Sequence, residues 1–297
     1  MSYKGIKKLD NQIKKVLMNL QNDIENLFSV QKDEWPKLNE AIRNLDDVKV
    51  KQLNWGDNIS VKVQFNPSRI TSTGAKIDKQ YIEERPCFLC EQNRPAEQKG
   101  ITFLEKYLIL CNPFPILKNH ITIPLYSHVP QRIRHKIGEM LTLSEKLPDY
   151  IVFYNGPKSG ASAPDHFHLQ AGLKTPELTQ GDNELRSCFI IEGSTISESV
   201  ELFEEVYQYL RSIQPDEEEP MLNVITFMED SKYKIHIFPR KAHRPKQYYN
   251  EGSNKMLVSP GALDMAGLFI TVREEDFNKI EKQDIEDIYF QVSLPIM

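Results

Sequence analysis

Residues 166–170 read His-Phe-His-Leu-Gln, a strict alternation of polar and apolar side chains. On a strand, side chains repeat with period two. Such a run therefore folds as a half-buried strand, with Phe167 and Leu169 in a core and His166, His168 and Gln170 sharing the other face. Two imidazoles and a carboxamide on one face of a buried strand are costly unless each finds a partner. Just upstream, Gly156-Pro157-Lys158-Ser159-Gly160-Ala161-Ser162 is a turn-rich loop whose glycines let backbone N–H groups come close to an anion. Either feature alone is ordinary, since most His-x-His pairs are satisfied core histidines and most glycine/serine loops are only loops. Together they make a candidate phosphate site.

The rest of the composition narrows the class. The chain has 297 residues, 40% of them hydrophobic and 27% charged, as in an ordinary globular protein of one large domain or two small ones. A net charge of −5 argues against a general nucleic-acid binder. No run approaches about 18 apolar residues, so no membrane span is expected. The first residues, MSYKGIKKLDNQIKK, hold no apolar segment of the kind a secretory signal needs. Four cysteines do not suggest a disulfide scaffold, and a cytoplasmic location is the default expectation.

Along the chain, Ile6, Leu9, Ile13, Val16, Leu17, Leu20, Ile24, Leu27 and Phe28 recur at three and four, which predicts an amphipathic helix whose stripe packs on this chain or on a partner subunit in a homodimer. A short helix near Pro36–Leu45 follows. Val48–Phe65 alternates around Gly56-Asp57 and reads as a hairpin. Strands are expected at Tyr107–Cys111, His120–Leu125, Tyr150–Tyr154 and His166–Leu173, with a helix at Ile133–Leu147. Beyond them come strands at Cys188–Glu192, Leu222–Met228, Tyr233–Pro239 and Leu268–Arg273, a helix at Ser197–Ile213, and a closing helix over Glu274–Tyr289. Asp216–Glu219 reads as a solvated acidic turn. This order lacks the regular βαβ rhythm and suits an antiparallel α+β sheet with flanking helices. Three regions follow: an N-terminal helical extension (1–48), a catalytic core (49–175) and a C-terminal α+β half (176–297).

Arg85-Pro86-Cys87-Phe88-Leu89-Cys90 carries the one Cys-x-x-Cys of the chain. In a cytoplasmic chain that spacing means metal or redox chemistry, and no βαβ context supports a thioredoxin-like reading. Zinc takes about four nitrogen or sulfur ligands in a tetrahedron, so the cysteines supply half a site. His128 and His166 are candidates for the rest, with His120 competing with His128. Free thiols on a turn are the alternative.

The combination of Asn155, Gly160-Ala161-Ser162 and His166-x-His168-x-Gln170 resembles the histidine-triad superfamily in its transferase branch. That branch includes galactose-1-phosphate uridylyltransferases, diadenosine tetraphosphate phosphorylases and GDP-hexose phosphorylases. The resemblance is specific over Cys87–Gly172. It implies a nucleotidyltransferase or phosphorylase that moves a nucleoside monophosphate from a dinucleoside polyphosphate or nucleotide sugar, through a covalent nucleotidyl-histidine, to phosphate or a sugar phosphate. By the same resemblance His168 is the nucleophile and Gln170 steadies a phosphate oxygen. Cys87, Cys90, His128 and His166 fall in the places of a structural zinc site. Asn155, Ser159, Gly160, Ala161 and Ser162, with Asn66 and Arg69, are candidate nucleotide or phosphate contacts. A second half that completes the site is also implied, and Gly261–Gly267 is loosely similar to that part of the phosphorylases. Two alternatives stay open. One is a hydrolase of the same fold, against which Gln170 argues because hydrolases carry a third histidine there. The other is a catalytically idle, zinc-stabilised nucleotide-binding protein.

Overall fold

In the computed structural model, residues 20–181 and 184–296 are described. The first strands, β1 (Lys49–Trp55) and β2 (Ile59–Phe65), form the expected hairpin, paired from Lys49–Phe65 to Trp55–Ile59. Gly56 closes it at φ +60°, a left-handed conformation that favours glycine. Then come β3 (Gly100–Phe103), β4 (Tyr107–Cys111), β5 (Ile121–Pro124), β6 (Tyr150–Asn155) and β7 (His168–Leu173). The C-terminal part adds β8 (Phe189–Gly193), β9 (Leu222–Glu229), β10 (Lys232–Pro239) and β11 (Leu268–Thr271).

Eight strands make one antiparallel sheet in the order β3-β4-β5-β7-β6-β9-β10-β8. The fold is α+β, as the element order predicts. β9 pairs with β6, from Val152–Thr226 to Asn155–Asn223, so the sheet runs unbroken from the core region into the C-terminal half. A smaller sheet, β1-β2-β11, joins the two regions again, because β11 lies parallel to β2.

The period-two argument holds where it matters. Phe167, Leu169 and Ala171 are fully buried in the core on one side of the large sheet, beneath the helices Ile137–Lys146 and Ile196–Ile213. Burying each large side chain there contributes about 1.5–3 kcal/mol. Phe153, opposite Gln170 in the ladder, faces a second core built from the small sheet and the C-terminal helices. His166, however, lies in a bend before β7 and not on the strand, so it does not share the face of His168 and Gln170.

The helix at 20–34 turns Ile24 and Phe28 into the main core of this same chain, so that end of the apolar stripe covers its own subunit. The stripe's earlier residues lie outside the described ones. The closing helix is two, Glu274–Lys279 and Lys282–Val292. Between them Ile280 becomes extended and buried, and Glu281 with Asp284 caps the restart. Among the described residues, no helix is long and apolar enough to cross a membrane.

Candidate active site

A cavity of about 520 Å³ opens beside the start of β7, walled by both halves of the chain. His168 and Gln170 reach it from β7, Asn155 from the end of β6, and Gly160, Ala161 and Ser162 from the loop after it. Arg69 lines it from the N-terminal side, and Gly261 and Ala262 from the C-terminal half. His168 is only 4% exposed. Its Nδ1–H donates to the His166 carbonyl at 2.8 Å, which leaves the Nε2 lone pair free. Burial pushes its pKa down to about 4, against the opposing pull of that carbonyl bond, so the imidazole is neutral at physiological pH.

Two carboxamides beside His168 are held in one orientation by buried partners. The Ile116 N–H donates to His120 Nδ1 at 3.0 Å, so His120 carries its proton on Nε2 and donates it to Gln170 Oε1, also at 3.0 Å. Burial, and then the nearby Arg69 charge, drive the His120 pKa down to about 3, which keeps this arrangement neutral. Gln170 therefore presents its N–H₂ to the cavity. Asn155 is set in the same way. Its Oδ1 accepts from Asn223 Nδ2 at 2.9 Å and from the Ala262 N–H at 2.7 Å, which leaves its own N–H₂ to offer. Asn223 is oriented in turn by Arg240, which donates to its Oδ1 at 2.6 Å.

The loop 156–162 is more committed to itself than its composition implies. The Ser159 and Ala161 N–H groups both bond the Gly156 carbonyl, at 2.9 and 3.3 Å, so those two expected anion donors are occupied. Ser159 is fully buried and away from the cavity wall, and its carbonyl accepts from Asn223 at 2.6 Å. Gly160 has φ +98°, and a Cβ there would meet Gly261 Cα at 2.9 Å, so this glycine seals the loop against the C-terminal half. Lys158 turns outward to pair with Glu217 at 2.7 Å.

The N-terminal candidates divide. Asn66 is buried off the cavity, its amide donating to the Pro115 carbonyl at 3.0 Å while its Oδ1 accepts from Ser68 at 2.5 Å, so it builds a strand-ending turn. Arg69 does reach the cavity, tethered through Nη1 to the Phe114 carbonyl at 2.9 Å. Burial lowers its pKa to about 10, still well above neutrality.

Cys87, Cys90, His128 and His166 meet in one cluster, their ligand atoms all within 4.8 Å of one another. His166 Nε2 bonds the Leu125 carbonyl at 2.8 Å and aims Nδ1 at the sulfurs of Cys87 (3.4 Å) and Cys90 (3.5 Å). His128 Nδ1 lies 3.2 Å from Cys90. His120 has no part in the cluster, which removes the competing assignment. Two thiols and two imidazole nitrogens form a donor set able to hold a metal ion. Asp165 stands behind it, 3.4 Å from His128 Nε2 and bonded to Arg85 at 2.5 Å. Phe88 and Leu89, between the cysteines, line the cavity, so the cluster also shapes one of its walls.

Several residues now in place had no local signal. Glu219, expected in a solvated turn, is 4% exposed and accepts from Ile133 N–H (2.8 Å) and Tyr154 O–H (2.9 Å). Arg240, just past β10, is fully buried and bonds backbone carbonyls as well as Asn223. Arg244, from the same stretch, lines the cavity. Only the flanking alternation of β9 and β10 hints that Asn223 and Arg240 lie near a strand end.

Comparison with known proteins agrees with this geometry. Residues 27–173 match the family model of a domain of unknown function (DUF4922), and residues 185–296 that of the GDPGP1-like C-terminal domain. No curated protein sequence matches. Among solved structures, the chain is similar to yeast Ap4A phosphorylase Apa2, at 17% identity and a TM-score of 0.62 over 91% of this chain and 98% of that one. The same yeast enzyme in complex with Ap4A aligns at 16% identity and TM-score 0.60, over 93% and 98% of the two chains. In complex with AMP it aligns at 16% and 0.56, over 91% and 97%. At such identities the likeness is one of fold.

Proposed function

We propose that this chain, which has the histidine-triad transferase fold of yeast Ap4A phosphorylase and whose C-terminal part matches a GDPGP1-like domain, is a nucleotidyltransferase of the phosphorylase type. The donor is a dinucleoside polyphosphate or a nucleotide sugar, and the acceptor is phosphate or a sugar phosphate. The observation that carries this reading is the state of His168: neutral, with Nδ1–H on the His166 carbonyl and its other nitrogen free at the cavity wall.

In the first displacement the Nε2 lone pair forms a bond to the α-phosphorus. The bond from phosphorus to the leaving oxygen breaks, and the leaving nucleoside polyphosphate or sugar phosphate takes its electron pair. The positive charge that grows on the ring lies against the His166 carbonyl. Charge on the non-bridging oxygens meets the N–H₂ groups of Gln170 and Asn155, already oriented before reaction, and the cationic Arg69. In the second displacement an acceptor oxygen bonds to phosphorus, the P–N bond breaks, and its electron pair returns to Nε2. Gln170 suits transfer to a second substrate because a carboxamide neither protonates a leaving group nor takes a proton from an attacking water.

The Cys/His cluster fits zinc. Zn–S bonds of about 2.3 Å and Zn–N bonds of about 2.0–2.1 Å in a tetrahedron set neighbouring ligand atoms roughly 3.3–3.8 Å apart; three of the S–N separations are 3.2–3.5 Å, and all the ligand atoms lie within 4.8 Å of one another. Bound there, the ion supplies folding energy and no reacting group. The four cysteines, none in a disulfide, suit a cytoplasmic setting.

The test is a turnover screen of Ap4A-type dinucleotides and nucleotide sugars, with and without phosphate. Phosphate-dependent release of nucleoside diphosphate, or of its sugar-phosphate counterpart, is expected. Equal rates in water alone would make the protein a hydrolase of this fold, and binding without turnover would make it the idle nucleotide-binding protein.

A further inference from the structure

We infer that Gln131 is a positioning residue for His168, and that its side chain acts as a peptide unit inserted between β6 and β7. The inference rests on the nucleotidyl-transfer reading of His168.

The register of β6 and β7 pairs Val152 with Ala171 and Phe153 with Gln170, so the next outward-facing pair on the same ladder would be Asn155 with His168. In an antiparallel ladder alternate facing pairs bond each other directly, and this pair, with the His168 N–H and carbonyl both turned to the Asn155 side, would be one of them. Here they do not bond. The Gln131 carboxamide lies between them: Nε2 donates to the Asn155 carbonyl at 3.0 Å and to the His168 carbonyl at 2.9 Å, while Oε1 accepts from the His168 N–H at 2.8 Å. One side chain satisfies three backbone groups, two of them on His168. Gln131 is itself fully buried and pinned at both ends of its own peptide. Its N–H donates to the Pro164 carbonyl at 3.1 Å, and its carbonyl lies 3.0 Å from the Tyr154 hydroxyl, whose one proton it shares with Glu219 Oε1 at 2.9 Å.

Two consequences follow. The wedge keeps the strands apart at the point where His168 and Asn155 both line the cavity. It also fixes the backbone from which the His168 ring springs, while the His166 carbonyl fixes the ring's rotation. Both are needed to hold Nε2 in line with a phosphorus, and misplacing a reacting group by about 1 Å costs on the order of a hundredfold in rate.

Gln131→Met keeps the length and volume but removes all three bonds. The expected result is a kcat lower by on the order of a hundredfold with nucleotide KM changed less than about threefold, and metal content unchanged. Gln131→Glu is the conservative partner. As a neutral acid it still accepts from His168 N–H and donates to one carbonyl. As a carboxylate it faces two carbonyl oxygens and donates nothing. Its kcat should therefore rise towards wild type as pH falls from 8.5 to 5.5, relative to the wild-type profile. That profile is the control for Glu219, which bonds Tyr154 next to the Gln131 carbonyl and which burial raises to about 7. The inference is overturned if folded Gln131→Met keeps wild-type kcat, or if the Gln131→Glu profile parallels wild type. Should the wild-type protein turn over no donor, the transfer reading fails separately, and backbone amide exchange decides the positioning. Exchange of the His168 N–H should be at least tenfold faster in Gln131→Met, and an unchanged rate would overturn it.

Discussion

His168 Nδ1 lies 2.8 Å from the carbonyl oxygen of His166. The residue whose ring belongs to the Cys/His cluster thereby sets the tautomer of the residue that faces the cavity. The cluster and the cavity are coupled through one hydrogen bond, and whatever disturbs the cluster is felt at His168. The same cluster holds Phe88 and Leu89 against the cavity, so its loss would be felt in the cavity wall too.

Cys90→Ser tests that coupling. Removing one of four ligands should release the metal, expected at about one zinc per chain, and lower the melting temperature, since metal binding in such sites is folding energy. Metal analysis and thermal melts check it. Protein purified without chelator that holds no zinc, and melts as the variant does, would reduce the cluster to a set of packed thiols.

His168→Ala should abolish any trapped nucleotide while leaving metal content and melting temperature close to wild type, because His168 is outside the cluster. Mass spectrometry of acid-free quenched reactions should find a nucleoside monophosphate on the wild type, in a phosphoramidate bond labile to acid and stable to base. Turnover should fall at least about a thousandfold, the scale for a nucleophile that acts as part of a unit. Near-normal turnover in the variant would end the covalent mechanism.

Much of this site was legible because its signals are local. The alternation over 166–170 placed Phe167 and Leu169 in the core, though it wrongly kept His166 on the strand, and Cys87, Cys90, His128 and His166 meet where spacing and resemblance together put them. What stayed hidden depends on contacts between distant segments. Asn223 finds Asn155 across 68 positions, and His120 finds Gln170 across 50. No periodicity encodes which amide faces which partner. Local composition also misled where burial overrode it. Glu219 sits in an acidic run but its carboxyl is drawn inside, and Ser159 looks like an anion contact but its loop bonds itself. The break at Ile280 was invisible for the same reason, since only the core it enters explains why the helix stops.

Stability should fall as the solution is acidified below neutrality. Burial first, and neighbouring cations second, push His120 and His243 down to about 3 and His236 to about 4. These histidines are neutral in the fold and bind protons in the unfolded chain from about pH 6.5 downward. The unfolded state then holds more protons, so unfolding free energy rises with pH over that window and is lost as pH falls through it. Two buried carboxyls oppose this. Burial raises Glu219 to about 7 and Asp264 to about 6, so their folded forms keep protons longer. With His168, also held at about 4, four such histidines stand against two acids, and the melting temperature should drop between pH 6.5 and pH 4.5. In Glu219→Gln, which lacks one opposing acid, the drop should be steeper. Melts across that range that show no acid loss would contradict the neutral-histidine assignment.

The last prediction concerns the carboxamide. His120 stands behind Gln170, donating Nε2–H to its Oε1 at 3.0 Å while the Ile116 N–H holds the opposite nitrogen. If this bond exists to aim the Gln170 N–H₂ at phosphoryl oxygens, the two residues act as one unit and their losses must not add. Gln170→Ala should lower kcat by on the order of a hundredfold or more, the scale of removing one donor to a developing oxyanion. His120→Phe, which fills the buried space without the donor, should cost a tenth to most of that. The double variant should be no slower than Gln170→Ala alone, because no amide remains to be aimed. A coupling energy near zero in this cycle, with the two losses multiplying, would show that His120 serves packing only.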